Sequence, residues 1–206
     1  MRLKSRLSKR FFAFFCSLIL GFFSFGAFLS PETQALTAHK KIDIVTVKQV
    51  KTNWCWAACS EMFGRYVAGM PFLGIGYRTK EDIVKYIYGE ALDKTATPEQ
   101  TSSAMQYAAR NKVGVGYHLF ASSWSKIRNE IDADRIMLLA AGYYIGSSRN
   151  GGHMVVCTGY TLNTSTDKSY LYYVDPADGT EYFCEYQAFC DGSFNGRKYD
   201  QYYYYG

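Results

Sequence analysis

Gln49-Val50-Lys51-Thr52-Asn53-Trp54-Cys55-Trp56-Ala57-Ala58-Cys59 is the stretch on which the reading of this chain turns. Beyond it, Trp56, Cys59, Met62, Phe63 and Val67 recur at helical spacing and make one apolar stripe. Asn53 suits an N-cap two residues ahead of Cys55. The spacing predicts a helix over 53–67, reached from an extended segment, Leu36 to Lys51. Free backbone N–H groups and the helix dipole stabilise negative charge at a helix start, which favours a thiolate there. The same position also suits a buried structural cysteine or half of a disulfide, so the rest of the chain has to decide.

Working outward, Gly69 to Tyr77 reads as a loop with Pro71 and several glycines. Thr79-Lys80-Glu81-Asp82 resembles a capping box and opens a second helix. Thr97-Pro98-Glu99-Gln100 opens a third, which runs to about Arg110. Ser122 or Ser123 opens a fourth through Trp124, Ile127 and Ile131. Strands are expected at Arg135–Ile145, His153–Tyr160, Tyr170–Asp175, Glu181–Tyr186 and Tyr199–Tyr205. Helices first and strands afterwards predict an α+β fold, with N-terminal helices packed on a C-terminal antiparallel sheet. Nothing reads as a linker, so residues 36–206 are expected to form a single domain.

A nucleophilic thiolate needs an imidazole partner, and the chain has three histidines. His39 falls in a segment expected to be flexible, and His118 in a short alternating stretch. His153 follows Gly151-Gly152 and opens an apolar strand; glycines there allow close approach of a backbone or substrate. If Tyr160 pairs with Lys168 across a 161–167 loop, His153 lies opposite Asp175, on one face of the hairpin. Asp175 then orients the imidazole and selects its tautomer; alone, Asp175-Pro176 is also a turn starter. Gln49, six residues before Cys55, is a candidate to donate to an oxyanion beside the Cys55 backbone N–H.

Gln-x5-Cys-Trp-Ala, a later Gly152-His153 and a later Asp175-Pro176 resemble the papain-like cysteine peptidases. The likeness is to the compact bacterial branch with secreted effector proteases and relatives of double-glycine leader peptidases. It covers about Val45 to Tyr186. The resemblance implies a papain-like fold and hydrolysis of peptide bonds through an acyl-enzyme. It implies Cys55 as nucleophile, His153 as general base and acid, Asp175 as its orienting group and Gln49 in the oxyanion hole. Trp56 and Gly152 become candidate substrate-binding residues. Two departures stand out. There is no room for a long prosegment after residue 36, so control is expected from export, substrate supply or a separate inhibitor. The third residue is Asp where papain itself has Asn; either accepts from an imidazole N–H.

The formal charge is +5, but five of the 23 Lys and Arg residues lie in the first ten. The remaining chain is close to neutral and has no footprint for nucleic acid. Residues 11–30 carry no charge, Pro31 breaks the run, and Thr33-Gln34-Ala35 offers small residues for cleavage. Residues 1–35 therefore read as a secretory signal peptide, with an uncleaved anchor as the alternative. The expectation is a secreted or cell-surface protein, monomeric, off the membrane once the leader is removed. Cys16 would leave with the leader. Five cysteines remain, an odd number that suits one free thiol and up to two disulfides. Cys184 with Cys190 and Cys59 with Cys157 are the candidate pairs, or the latter two stay reduced. Cys-x3-Cys with one histidine is a poor zinc pattern, and neither a metal nor another cofactor is expected. Beside the peptidase, the same three groups suit a cell-wall amidase or a transglutaminase-like acyl transferase. A non-catalytic binding module on the same scaffold is the third alternative.

Overall fold

Local capping signals set the start of three helices, while the helix that carries Cys55 starts differently. The computed structural model describes residues 37–69, 76–193 and 196–206. The leader with Cys16, and residues 70–75 of the expected loop, lie outside these. Helix α1 is Cys55–Val67, α2 Lys80–Tyr88, α3 Pro98–Ala108 and α4 Trp124–Asp132. Thr79 with Asp82, and Thr97 with Gln100, form reciprocal capping boxes; Pro98 sits in the first turn of α3, and Ser123 caps α4. Helix α1 has Trp54 at its N-cap, no side-chain cap and no acid in its first turn. Asn53, expected as the cap, is held by Asp93: its N–H donates to Oδ1 at 2.9 Å and its Nδ2 to the carbonyl at 3.2 Å. The open end of the α1 dipole is therefore left at Cys55.

Helix α1 is buried continuously from Trp56 to Gly64. The sequence stripe captured one side of it, but its small residues let neighbours close in on the others. A Cβ on Gly64 would lie 2.5 Å from the Ala108 carbonyl oxygen, so glycine sets the approach of α1 to α3. Glu61 is buried on the same helix. It accepts from Arg65 at 2.5 Å and from the Lys80 backbone N–H at 2.7 Å, tying α1 to the start of α2.

The strands are β1 (Thr37–Lys41), β2 (Val115–His118), β3 (Met137–Ile145), β4 (Ser148–Asn163), β5 (Lys168–Asp175), β6 (Thr180–Glu185) and β7 (Lys198–Tyr205). Pairing is antiparallel throughout, in the order β2-β7-β3-β4-β5-β6. The long β4 pairs with β3 over its first part, and with β1 and β5 over its last. The helices pack against this sheet around Met62, Phe63, Met105, Ile127, Leu138 and Val156, giving the expected α+β arrangement. His39 lies on β1 opposite Thr161 and hydrogen-bonds its hydroxyl at 2.9 Å, so that segment is sheet and not a loose lead-in. Tyr186–Asp191 forms a short helix, α5, where the strand was expected to end. Six residues carry too little periodicity to announce a helix.

Three one-residue register shifts shape β4 and β7. Along β4 against β3, Tyr143 pairs with Gly151 and Tyr144 with Arg149, so Asn150 is bulged. Along β7 against β3, Ala140 pairs with Gln201 and Ala141 with Tyr199, so Asp200 is bulged. Along β4 against β5, Cys157 pairs with Tyr173 and Gly159 with Tyr172, so Thr158 is bulged. Each extra residue moves the side chains beyond it to the other face of the sheet.

Candidate active site

Asp175 and His153 meet through the Thr158 bulge. The β4–β5 loop is 164–167, shorter than expected, and Asn163 pairs with Lys168. Carried straight on, that register would set Asp175 beside Val156, on the wrong face. The bulge removes one residue, Val156 pairs with Val174, and Asp175 falls beside Val155, diagonal to His153 and on its face. The expected pairing of His153 directly opposite Asp175 is thus corrected to a diagonal one. His153 Nε2 lies 2.5 Å from Asp175 Oδ1, and the same oxygen accepts the Ala177 N–H at 2.8 Å.

Cys55 is half-buried at the start of α1 and lines the same cavity as His153. Since Nε2 faces Asp175, Nδ1 is the ring nitrogen left for the thiol. Burial pulls the His153 imidazole down, but the Asp175 hydrogen bond and the adjoining Cys55 outweigh it and raise its pKa from 6.5 to about 9. Burial pushes the Asp175 carboxyl up, yet the bonds from His153 and Ala177 hold it below the ordinary carboxylate range. The pair therefore stores charge: an imidazolium against a carboxylate at neutral pH.

Gln49 sits on the loop ahead of α1, and its N–H donates to the Pro176 carbonyl at 2.7 Å, joining that loop to the turn after Asp175. Its Nε2 donates to the carbonyls of Lys51 and Thr52, both at 2.9 Å, and its Oε1 is buried without a partner among the described residues. Both amide N–H groups are thus engaged with carbonyls of the loop itself. Helix α1 starts without a side-chain cap on its first N–H groups.

A cavity of about 160 Å³ opens beside the thiol. Cys55, His153, Trp56 and Gly152 all line it, so both candidate substrate-binding residues adjoin the reactive pair. Trp54 and Trp56 donate their ring N–H groups to the carbonyls of Leu92 and Lys94, at 2.8 and 3.0 Å. Those bonds and Asp93 fix the segment that brings Thr95 to the cavity wall. The sequence reading missed this segment and Arg149, another wall residue; partners some forty residues apart leave no local pattern.

The disulfide expectation is not met. Cys59, Cys157, Cys184 and Cys190 are free, like Cys55. Cys59 Sγ donates to the Met154 carbonyl at 3.3 Å, beneath the site. Burial pushes the Cys157 and Cys184 thiols up to about 12, and raises Cys59 and Cys190 as well, which keeps them protonated and unreactive. No helix among the described residues is long and apolar enough to cross a membrane.

Comparison with known proteins bears on this geometry. No curated protein matches the chain. A matching solved structure is the crystal structure of UfSP from C. elegans, with a TM-score of 0.48 and 8% identity. The alignment covers 84% of this chain and 34% of that one, so the chain spans about a third of that protein's length. The Peptidase_C39 like family model matches residues 41–205, from the end of β1 to the end of β7. Its span takes in Cys55, His153 and Asp175, and by that match the chain belongs to the Peptidase_C39 like family.

Proposed function

We propose that the protein is an exported peptidase that cleaves peptide bonds through Cys55, His153 and Asp175. The observation that carries this reading is the convergence of a helix-start thiol and a carboxylate-bound imidazole on one cavity. With His153 protonated at neutral pH, its imidazolium is the charge partner of the attacking Cys55 sulfur. The sulfur adds to the substrate carbonyl carbon, and the N–H groups at the start of α1 receive the oxyanion. His153 Nδ1 gives its proton to the departing amine, the C–N bond breaks, and a thioester remains. Water then adds to the thioester as Nδ1 takes one of its protons, releasing the acid and restoring the thiolate–imidazolium pair. Asp175 keeps the ring turned and balances its charge through the cycle. Gln49 acts as a positioning residue for the loop that delivers Cys55. Export is supported by the basic start, the uncharged run over 11–30 and the small residues at 33–35.

An epoxysuccinyl thiol probe tests the assignment. Labelling at neutral pH is expected on Cys55 alone, located by mass spectrometry, and lost in His153→Ala. Equal labelling of several cysteines, or labelling unchanged by His153→Ala, would remove the activated pair and the peptidase role built on it.

A further inference from the structure

Apart from His153, the wall of the cavity carries one ionic side chain, Arg149, and no carboxylate. Two of the three bulges put it there. Without the extra residue Asn150, Arg149 would share the face of His153; with it, Arg149 pairs with Tyr144 and shares the face of Gly142 and Gly152. These glycines are cross-strand partners and form a bare bed on the sheet. A Cβ on Gly152 would collide with Arg149 Nη2, and one on Gly142 with Asp200 Oδ2. The guanidinium thus lies over Gly152, on the wall of the cavity that His153 also lines. Asp200, the bulged residue of β7, holds it along one edge, accepting from Nε at 2.6 Å and Nη2 at 3.3 Å. Tyr144 donates to the same carboxylate at 2.7 Å. A guanidinium has five N–H donors, and this clamp uses two. Asp200 is not part of the cavity wall. Beside Arg149 and His153, the wall is apolar or uncharged: Trp56, Ala140, Met154, Tyr203 and neutral polar groups.

Resting on the peptidase reading above, the geometry points to Arg149 as a specificity residue that selects a carboxylate, in the first instance an acidic side chain close to the scissile bond. A clamped guanidinium gives a short, charge-assisted bond to that group with little ordering left to do. A neutral amide of the same shape forms the weaker bond. One such bond corresponds to roughly a 10- to 100-fold preference for Glu over Gln.

The test uses the full chain and peptidyl vinyl sulfones that differ only in Glu or Gln at each of the two residues before the warhead. Cys55 is expected to react about 10 to 100 times faster with Glu at one of these positions. Arg149→Gln is expected to bring the ratio near one, and Arg149→Lys to restore part of it. Asp200→Asn keeps one acceptor oxygen for the guanidinium and is expected to keep the preference, which separates charge selection from damage to the sheet. A free-acid tripeptide that slows labelling where its amide does not, with no Glu preference in the probes, would keep the carboxylate and move its source to a chain end. Equal rates for Glu and Gln without such protection, or a Glu preference that survives in folded Arg149→Gln, would overturn the inference while Cys55 still reacts. If no probe reaches Cys55 at all, the peptidase reading itself falls, and this inference with it.

Discussion

Replacing Asp175 by Asn removes one charge and keeps an oxygen that can still accept from His153. The rise of His153 from 6.5 to about 9 is worth about 3 kcal/mol, at about 1.4 kcal/mol per unit. Burial alone works against that rise, and Cys55 shares in it, so Asp175 supplies only a portion. The raised value sets the sign. The stability it contributes is fully present below 6.5, where the unfolded chain is also protonated, and is lost as pH rises through 9. The carboxylate acts on the acid side: its lowered value contributes stability above 3.8 that is lost as pH falls through the folded value. Asp175→Asn is therefore expected to lower the His153 pKa below 8 in an NMR titration. It is expected to cost about 1–3 kcal/mol in urea unfolding at pH 6.5, and much less at pH 10. A variant that still titrates near 9, or that loses as much stability at pH 10 as at pH 6.5, would refute the account of this pair.

Loss of the leaving-group proton gives the reaction an alkaline limit: kcat/KM is expected to fall as pH rises through about 9, and a fall centred near pH 7 would contradict the raised imidazole. Glu61→Ala strands the Arg65 guanidinium and the Lys80 N–H, and is expected to cost about 3 kcal/mol in denaturant unfolding; a loss under 1 kcal/mol would mean the buried carboxylate holds nothing together. Gly64→Ala drives a methyl against the Ala108 carbonyl and is expected to cost about 1–3 kcal/mol, read as a lower Tm. Peptide mapping without reductant is expected to find Cys59, Cys157, Cys184 and Cys190 unbridged, and a native Cys184–Cys190 bond would count against the structure at β6 and α5.

The helix starts were legible because capping is local. Thr79, Thr97 and Ser123 each satisfy N–H groups within three residues, whatever the rest of the chain does. The Cys55 neighbourhood was legible for the same reason, whereas the short strands β1 and β2, which precede and interrupt the helices, were not. Contacts between distant segments were not. Asn53 looked like a cap, but Asp93, forty residues away, claims it. Gln49 looked like a free donor, but its own loop uses both N–H groups. The His153–Asp175 pairing was anticipated with the right face and the wrong register, since a period of two preserves parity while a bulge cancels a miscounted loop. Arg149 and Asp200 show the same limit: nothing local marks Asn150 or Asp200 as bulges. The sequence by itself determined the fold class, the helix starts and which thiol, imidazole and carboxylate could act together. Only the tertiary structure decided which of them meet, because a single unpaired residue in a strand reverses the face of every side chain beyond it.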